Sequence, residues 1–146
     1  MTAASLMTRR RVRGRLLARW VLAFAYVTVG IFHIALPGPF LMIIPDWVPF
    51  PHQVILGTGV CEVAGATGLL TKRFRWAAGV CLALYAVCVF PANIKHAIAG
   101  SPAGQLQLGC QVGWWYHGPR LAFQPVLVWW ALFAGEAVTW PFGRSR

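Results

Sequence analysis

The residues of this chain that could do chemistry stand inside apolar runs, where polar groups are expensive. Glu62 lies near the middle of a run from about Val54 to Thr71. A charged side chain at the centre of a bilayer costs ~2.5–3.5 kcal/mol on insertion scales, which makes each one a functional candidate. At helical spacing around Glu62 stand Thr58, Gly59, Gly65 and Ala66, all small, so another helix can approach that face closely. Glu62 is therefore expected to point into a bundle, either as a proton-exchanging group or as a hydrogen-bonded packing element. His33 closes an earlier run, with Tyr26 and Gly30 on its face. Asn93 follows Pro91, a residue that frees a backbone carbonyl and kinks a helix where polar groups line a cavity. Lys95 and His96 come next, and Arg120 and Gln124 stand one turn apart at the opening of the last run. A guanidinium there can present several donors at once to a ligand oxygen or carboxylate.

These residues need helices to hold them at a common depth, and the apolar runs supply them. The first run, from Trp20 to Leu36, has no formal charge and covers ~25 Å at the rise of an α-helix. Pro37, Gly38 and Pro39 break it. The second ends at Lys72–Arg73, the third extends from about Trp76 to Ile94, and the fourth from about Leu121 to Trp140. Lipid offers the backbone no water to bond, so each span must be helical. The sequence thus predicts an all-α fold, a bundle of four transmembrane helices. Residues 1–19 form a basic arm, 20–142 the membrane domain and 143–146 a basic tail. In this layout His33, Asn93, His96, Arg120 and Gln124 share the outer end of their helices, with Glu62 about two turns deeper.

Composition agrees. The chain has 146 residues, is 58% hydrophobic, and carries only 11% charged residues, against ~25% in an average soluble domain. Its net charge is +10, and eleven of its thirteen Lys and Arg lie in three segments at the ends of apolar runs: six arginines within the first nineteen residues, Lys72–Arg73–Arg75, and Arg144 with Arg146; Lys95 and Arg120 lie on the other side. Cytoplasmic loops retain such charge, so both termini are expected in the cytoplasm. Trp20, Trp76 and Trp140 then mark the inner interface, and Trp47, Trp114 and Trp115 the outer one. The expected location is the inner (cytoplasmic) membrane, with the first span a retained signal anchor. Nucleic acid is excluded as a partner because no region outside the spans is large enough to present a groove. Cys61, Cys81, Cys88 and Cys110 form no C-x-x-C pair. No G-x-S-x-G, H-E-x-x-H, P-loop or dinucleotide pattern is present, so no motif names an enzyme or a metal site. Of the outer segments, Pro37 to Gln53 is expected to lie in the interface or fold back over the bundle. Ala97 to Pro119, rich in Gly and Gln, is expected as a loop, with Trp114–Trp115–Tyr116 resting on the headgroups.

At these residues the chain resembles the DoxX family of small four-helix bacterial membrane proteins. The matching stretches are Gly30–Ile31–Phe32–His33, Ile44–Pro45–Asp46–Trp47–Val48–Pro49, and Gly59–Val60–Cys61–Glu62–Val63–Ala64–Gly65 through Gly68–Leu69–Leu70. Phe90–Pro91–Ala92–Asn93–Ile94 and Arg120–Leu121–Ala122–Phe123–Gln124 complete the set, although Ala122 stands where the family often has proline. The resemblance spans about Trp20 to Trp130 and implies a quinone link, because the family takes its name from a membrane subunit of a quinone-reducing oxidoreductase. The reading that follows is an accessory or membrane subunit of a redox system. It would bind a quinone or other amphipathic ligand through His33, Glu62, Asn93, Arg120 and Gln124. A small-solute transporter or channel, and a ligand-free assembly protein, are the alternatives.

Overall fold

The computed structural model describes residues 3–98 and 114–140. Regular structure among them is entirely helical: α1 (Ala3–Ala35), α2 (Gly38–Leu41), α3 (Pro51–Leu70), α4 (Arg75–Cys88), α5 (Phe90–Ile98) and α6 (Trp114–Ala134). Cys110, most of the loop that precedes α6, and the tail with Arg144 and Arg146 lie outside the described residues.

Three stretches are long and apolar enough to cross a membrane: Val12–Ala35, Pro51–Leu70 and Arg75–Ile98, the last joining α4 to α5. The distribution of side chains fits such a solvent. Phe24, Val60, Trp76 and Leu84 are exposed on the outside, whereas Arg19, His33, Glu62, His117 and Gln124 are buried. A water-soluble protein has the reverse preference. Cys61, Cys81 and Cys88 are free and lie on the exposed apolar surface.

Helix limits differ from the sequence reading for identifiable reasons. α1 passes through the basic arm without a break, because arginine is a good helix former and charge does not interrupt the backbone. α3 starts at Pro51, where proline takes the first helical position and Phe50 turns the chain with φ 50. The third apolar run is two helices. Val89 forms a turn whose N–H bonds to the Tyr85 carbonyl, and α5 then carries the chain to Ile98. α6 begins well before Leu121, so Trp114 to Pro119 belong to a helix and not to the expected loop. Pro119 and Pro125 both stand inside it, and each removes one helical N–H bond to the carbonyl four residues earlier. α6 also ends at Ala134, short of the expected Trp140.

The helices pack in a closed ring in which α1 meets α3, α3 meets α4, α4 meets α6 and α6 returns to α1. Leu22, Ala23, Ala66, Leu69, Leu82 and Ala131 fill its middle. Apolar burial does not drive helices together in lipid, so close backbone approach must. A Cβ added to Gly30 would lie 2.8 Å from the Gly59 carbonyl oxygen, and one on Gly59 would lie 2.8 Å from that of Gly30. Gly79 and Gly135 make the same kind of contact between α4 and the end of α6.

The end of the ring that carries the basic arm is tied by ions. Arg19 donates from Nε to the Ala134 carbonyl (3.0 Å), capping α6, and from Nη2 to Glu136 (2.8 Å). Arg75 reaches the same Glu136 oxygen at 3.0 Å. Glu136 thus joins Arg19 to Arg75, and its backbone is left-handed with φ 65. Glu136→Gln is expected to lower stability by about 1–2 kcal/mol. That is less than the ~3–5 kcal/mol of a fully buried pair because Glu136 is half exposed. Glu136→Ala should be worse than Glu136→Gly by about 1 kcal/mol, since only glycine relieves the positive φ. Unfolding midpoints in detergent measure both; equal stability of wild type and Glu136→Gln would remove the ion pairs from this account.

Candidate functional site

The far end of the ring gathers the polar residues into two groups. The first is formed by α1, α3 and α4. His33 sits in the last turn of α1 and its Nδ1 lies 2.6 Å from Glu62 Oε2. Tyr85 on α4 donates its hydroxyl to Glu62 Oε1 at 2.8 Å. Glu62 is only 3% exposed, held between two partners on neighbouring helices. The Gly30–Gly59 crossing explains the short His33–Glu62 distance, since each residue lies about one turn beyond one of those glycines. The Phe40 ring of α2 covers the imidazole, with centroids 4.0 Å apart. The imidazole and the tyrosine hydroxyl thus bond to separate oxygens of one buried carboxyl group, in a low-dielectric interior that strengthens both bonds.

The second group joins α5, α6 and the end of α4. Arg120 donates from Nη2 to Asn93 Oδ1 (2.8 Å), and its Nη1 lies 2.6 Å from His96 Nδ1. A guanidinium can only donate, so His96 Nδ1 must accept; that imidazole is neutral with its proton on Nε2. Asn93 in turn donates to Gln124 Oε1 at 3.3 Å, and Gln124 donates to the Ala86 carbonyl. Ala86 lies in the last turn of α4, where carbonyls lack a helical donor. Tyr85 and Ala86 are consecutive, so α4 links the two groups.

The segment between α1 and α3 folds back over this end. Ile44 is buried, its carbonyl accepts from Lys95 Nζ at 2.6 Å, and Asp46 pairs with the same ammonium at 2.7 Å. The hydrogen bond and charge of Lys95 hold the Asp46 carboxyl below its ordinary range.

The structure therefore places His33 and Glu62 in one group, and Asn93, Arg120 and Gln124 in the other. Sequence reasoning did not single out Tyr85, although a hydroxyl inside an apolar run needs a buried partner and so signals one. It also passed over His117, which lies in α6, buried against His96 with ring centroids 5.0 Å apart. Among the described residues no set of three or more His, Cys, Asp or Glu side chains could hold a metal ion.

Residues 22–135 match the family described as domain of unknown function DUF8561, which is most of the chain. The chain belongs to this family. Its DUF8561 stretch holds every residue of both polar groups, while the Arg19–Glu136 pair falls just outside it at either end. No curated protein and no solved structure matches the chain.

Proposed function

We propose that this DUF8561 protein is a DoxX-like, four-span protein of the inner membrane, and that it serves as an accessory or membrane subunit of a redox system. Its outer half binds a quinone or similar amphipathic molecule. The fourth span is α6, which closes the ring and, at 21 residues, is ~31 Å long. Both termini face the cytoplasm, because basic residues concentrate at that end. An alkaline phosphatase fusion after Arg146 is then expected to be inactive; activity would reverse the topology.

One observation carries the ligand reading. A buried carboxylate shared by a histidine and a tyrosine, His33–Glu62–Tyr85, is a proton-exchanging group placed where charge is costly. Arg120 and Gln124 supply donors for ligand oxygens nearby. The layer of Leu22, Leu69 and Leu82 separates this end from the Arg19–Glu136 end, which counts against a through-path for solutes. Solvent extraction of the purified protein is expected to release a quinone in near-stoichiometric amount, and Arg120→Gln to reduce it several-fold. Quinone-free protein that also fails to bind added short-chain quinone would end this reading.

A ligand-free scaffold is the second reading, favoured because each of the five residues has a partner within the protein. In that case the same variants change stability and nothing else.

A further inference from the structure

The acidic residues of the whole sequence number three, and the structure describes all of them. Asp46 pairs with Lys95, Glu62 with His33, and Glu136 with Arg19 and Arg75. None is left for Arg120. Its described partners are neutral: Asn93 Oδ1, the His96 Nδ1 lone pair, and the Tyr116 ring at 5.9 Å. A partly buried guanidinium at the end of an apolar bundle thus lacks a counter-charge, although leaving a buried charge uncompensated is strongly destabilising. One turn away on α6 stands His117, 4% exposed, whose Nδ1 is buried and has no hydrogen-bond partner. Buried ring nitrogens are normally paired, so an unpaired one needs an explanation. His96 connects the two, in contact with the His117 ring and bonded to Arg120.

We propose that Arg120 and His117 form a site for an anionic oxygen group, a carboxylate or a phosphate, that supplies the counter-charge the chain itself lacks. Arg120 provides the charge, and His117, protonated on Nδ1, provides a directional donor. The group comes either from a soluble anion or from the headgroup of an anionic lipid. The inference does not depend on quinone binding, because it follows from the charge inventory and the unpaired nitrogen.

The test uses the full chain in neutral detergent with added inorganic phosphate or acetate, and in nanodiscs of phosphatidylcholine with or without phosphatidylglycerol. Thermal unfolding midpoints are read at matched ionic strength against chloride. A bound anion raises the midpoint saturably, by linkage. A rise with phosphate or acetate in detergent identifies a soluble anion. A rise confined to phosphatidylglycerol nanodiscs identifies a lipid headgroup. Arg120→Gln and His117→Phe are each expected to weaken the response at least tenfold. Should Arg120→Gln fail to fold, His117→Phe decides alone, since it removes the unpaired Nδ1 while keeping an aromatic ring in its place. In the absence of anion that variant is expected to be as stable as wild type or more so. No saturable rise with any of these probes, or a wild-type response from His117→Phe, overturns the proposal. Neither outcome bears on quinone content, which is assayed separately.

Discussion

Glu62→Leu is expected to lower stability by about 2–4 kcal/mol, because it leaves two buried donors without an acceptor, each costing ~1–3 kcal/mol. His33 Nδ1 and the Tyr85 hydroxyl both converge on this carboxylate and are fixed to separate helices. Glu62→Gln keeps two polar atoms of nearly the same shape and is expected to cost about 1 kcal/mol, the net value of an ordinary hydrogen bond. The triple variant Glu62→Leu, His33→Leu, Tyr85→Phe removes the donors along with the acceptor. It should recover most of the loss, since replacing all partners by apolar groups can be nearly neutral. Unfolding in detergent at fixed micelle concentration measures the series. A single Glu62→Leu variant as stable as Glu62→Gln would mean that the three side chains are not coupled. The triple variant separates structure from chemistry: it is expected to fold yet lose any proton-coupled ligand response.

Much of this arrangement is legible in the sequence because cost and spacing expose it. Glu62 is conspicuous in an apolar run, and its small neighbours at one-turn spacing point to a close helix crossing. Arg120, Asn93 and Gln124 fall at one depth because apolar length sets the frame. Their partners are less legible. Nothing in the order of residues says that Asn93 bridges Arg120 to Gln124 while Glu62 turns to His33 and Tyr85; the rotation of each helix about its axis decides that, and packing decides the rotation. Tyr85 was hidden because tyrosine is common at membrane interfaces and its ring lets it pass as one more aromatic in an apolar run. His117 was hidden by Gly118 and Pro119, which read as loop although α6 runs through both. The one-residue break at Val89 was also out of reach: Pro91 forecasts a kink but not its place. That Glu136 also reaches Arg75 depends on Gly79 and Gly135 letting α4 meet the end of α6.

The crossing of α1 and α3 should be the most sensitive point of the backbone. A Cβ on Gly59 would meet the Gly30 carbonyl oxygen and Ile34 Cγ1 at 2.8 Å each, and His33 Cβ at 3.0 Å. A carbonyl cannot step aside as a flexible side-chain end can, so the helices must separate. Gly59→Val is expected to cost about 3 kcal/mol, at the upper end of overpacking penalties, and Gly59→Ala about 1–2 kcal/mol. Gly57→Ala serves as control: nothing lies within 4 Å of its added methyl, so it should be neutral or stabilising by up to ~1 kcal/mol through helix propensity. Gly30→Ala and Gly59→Ala act on one contact from opposite sides. A single separation of the helices relieves both clashes, so the double variant should cost clearly less than the sum of the two. The separation also pulls His33 away from Glu62, because each stands about one turn beyond a substituted glycine. A loss of the His33–Glu62 bond would appear as a change in the His33 ring-nitrogen chemical shifts in Gly59→Ala, with no such change in Gly57→Ala. Strict additivity of the two alanine variants would place the clashes at independent sites. Unchanged His33 shifts in a destabilised Gly59→Ala would mean that the crossing does not set the geometry of the buried pair.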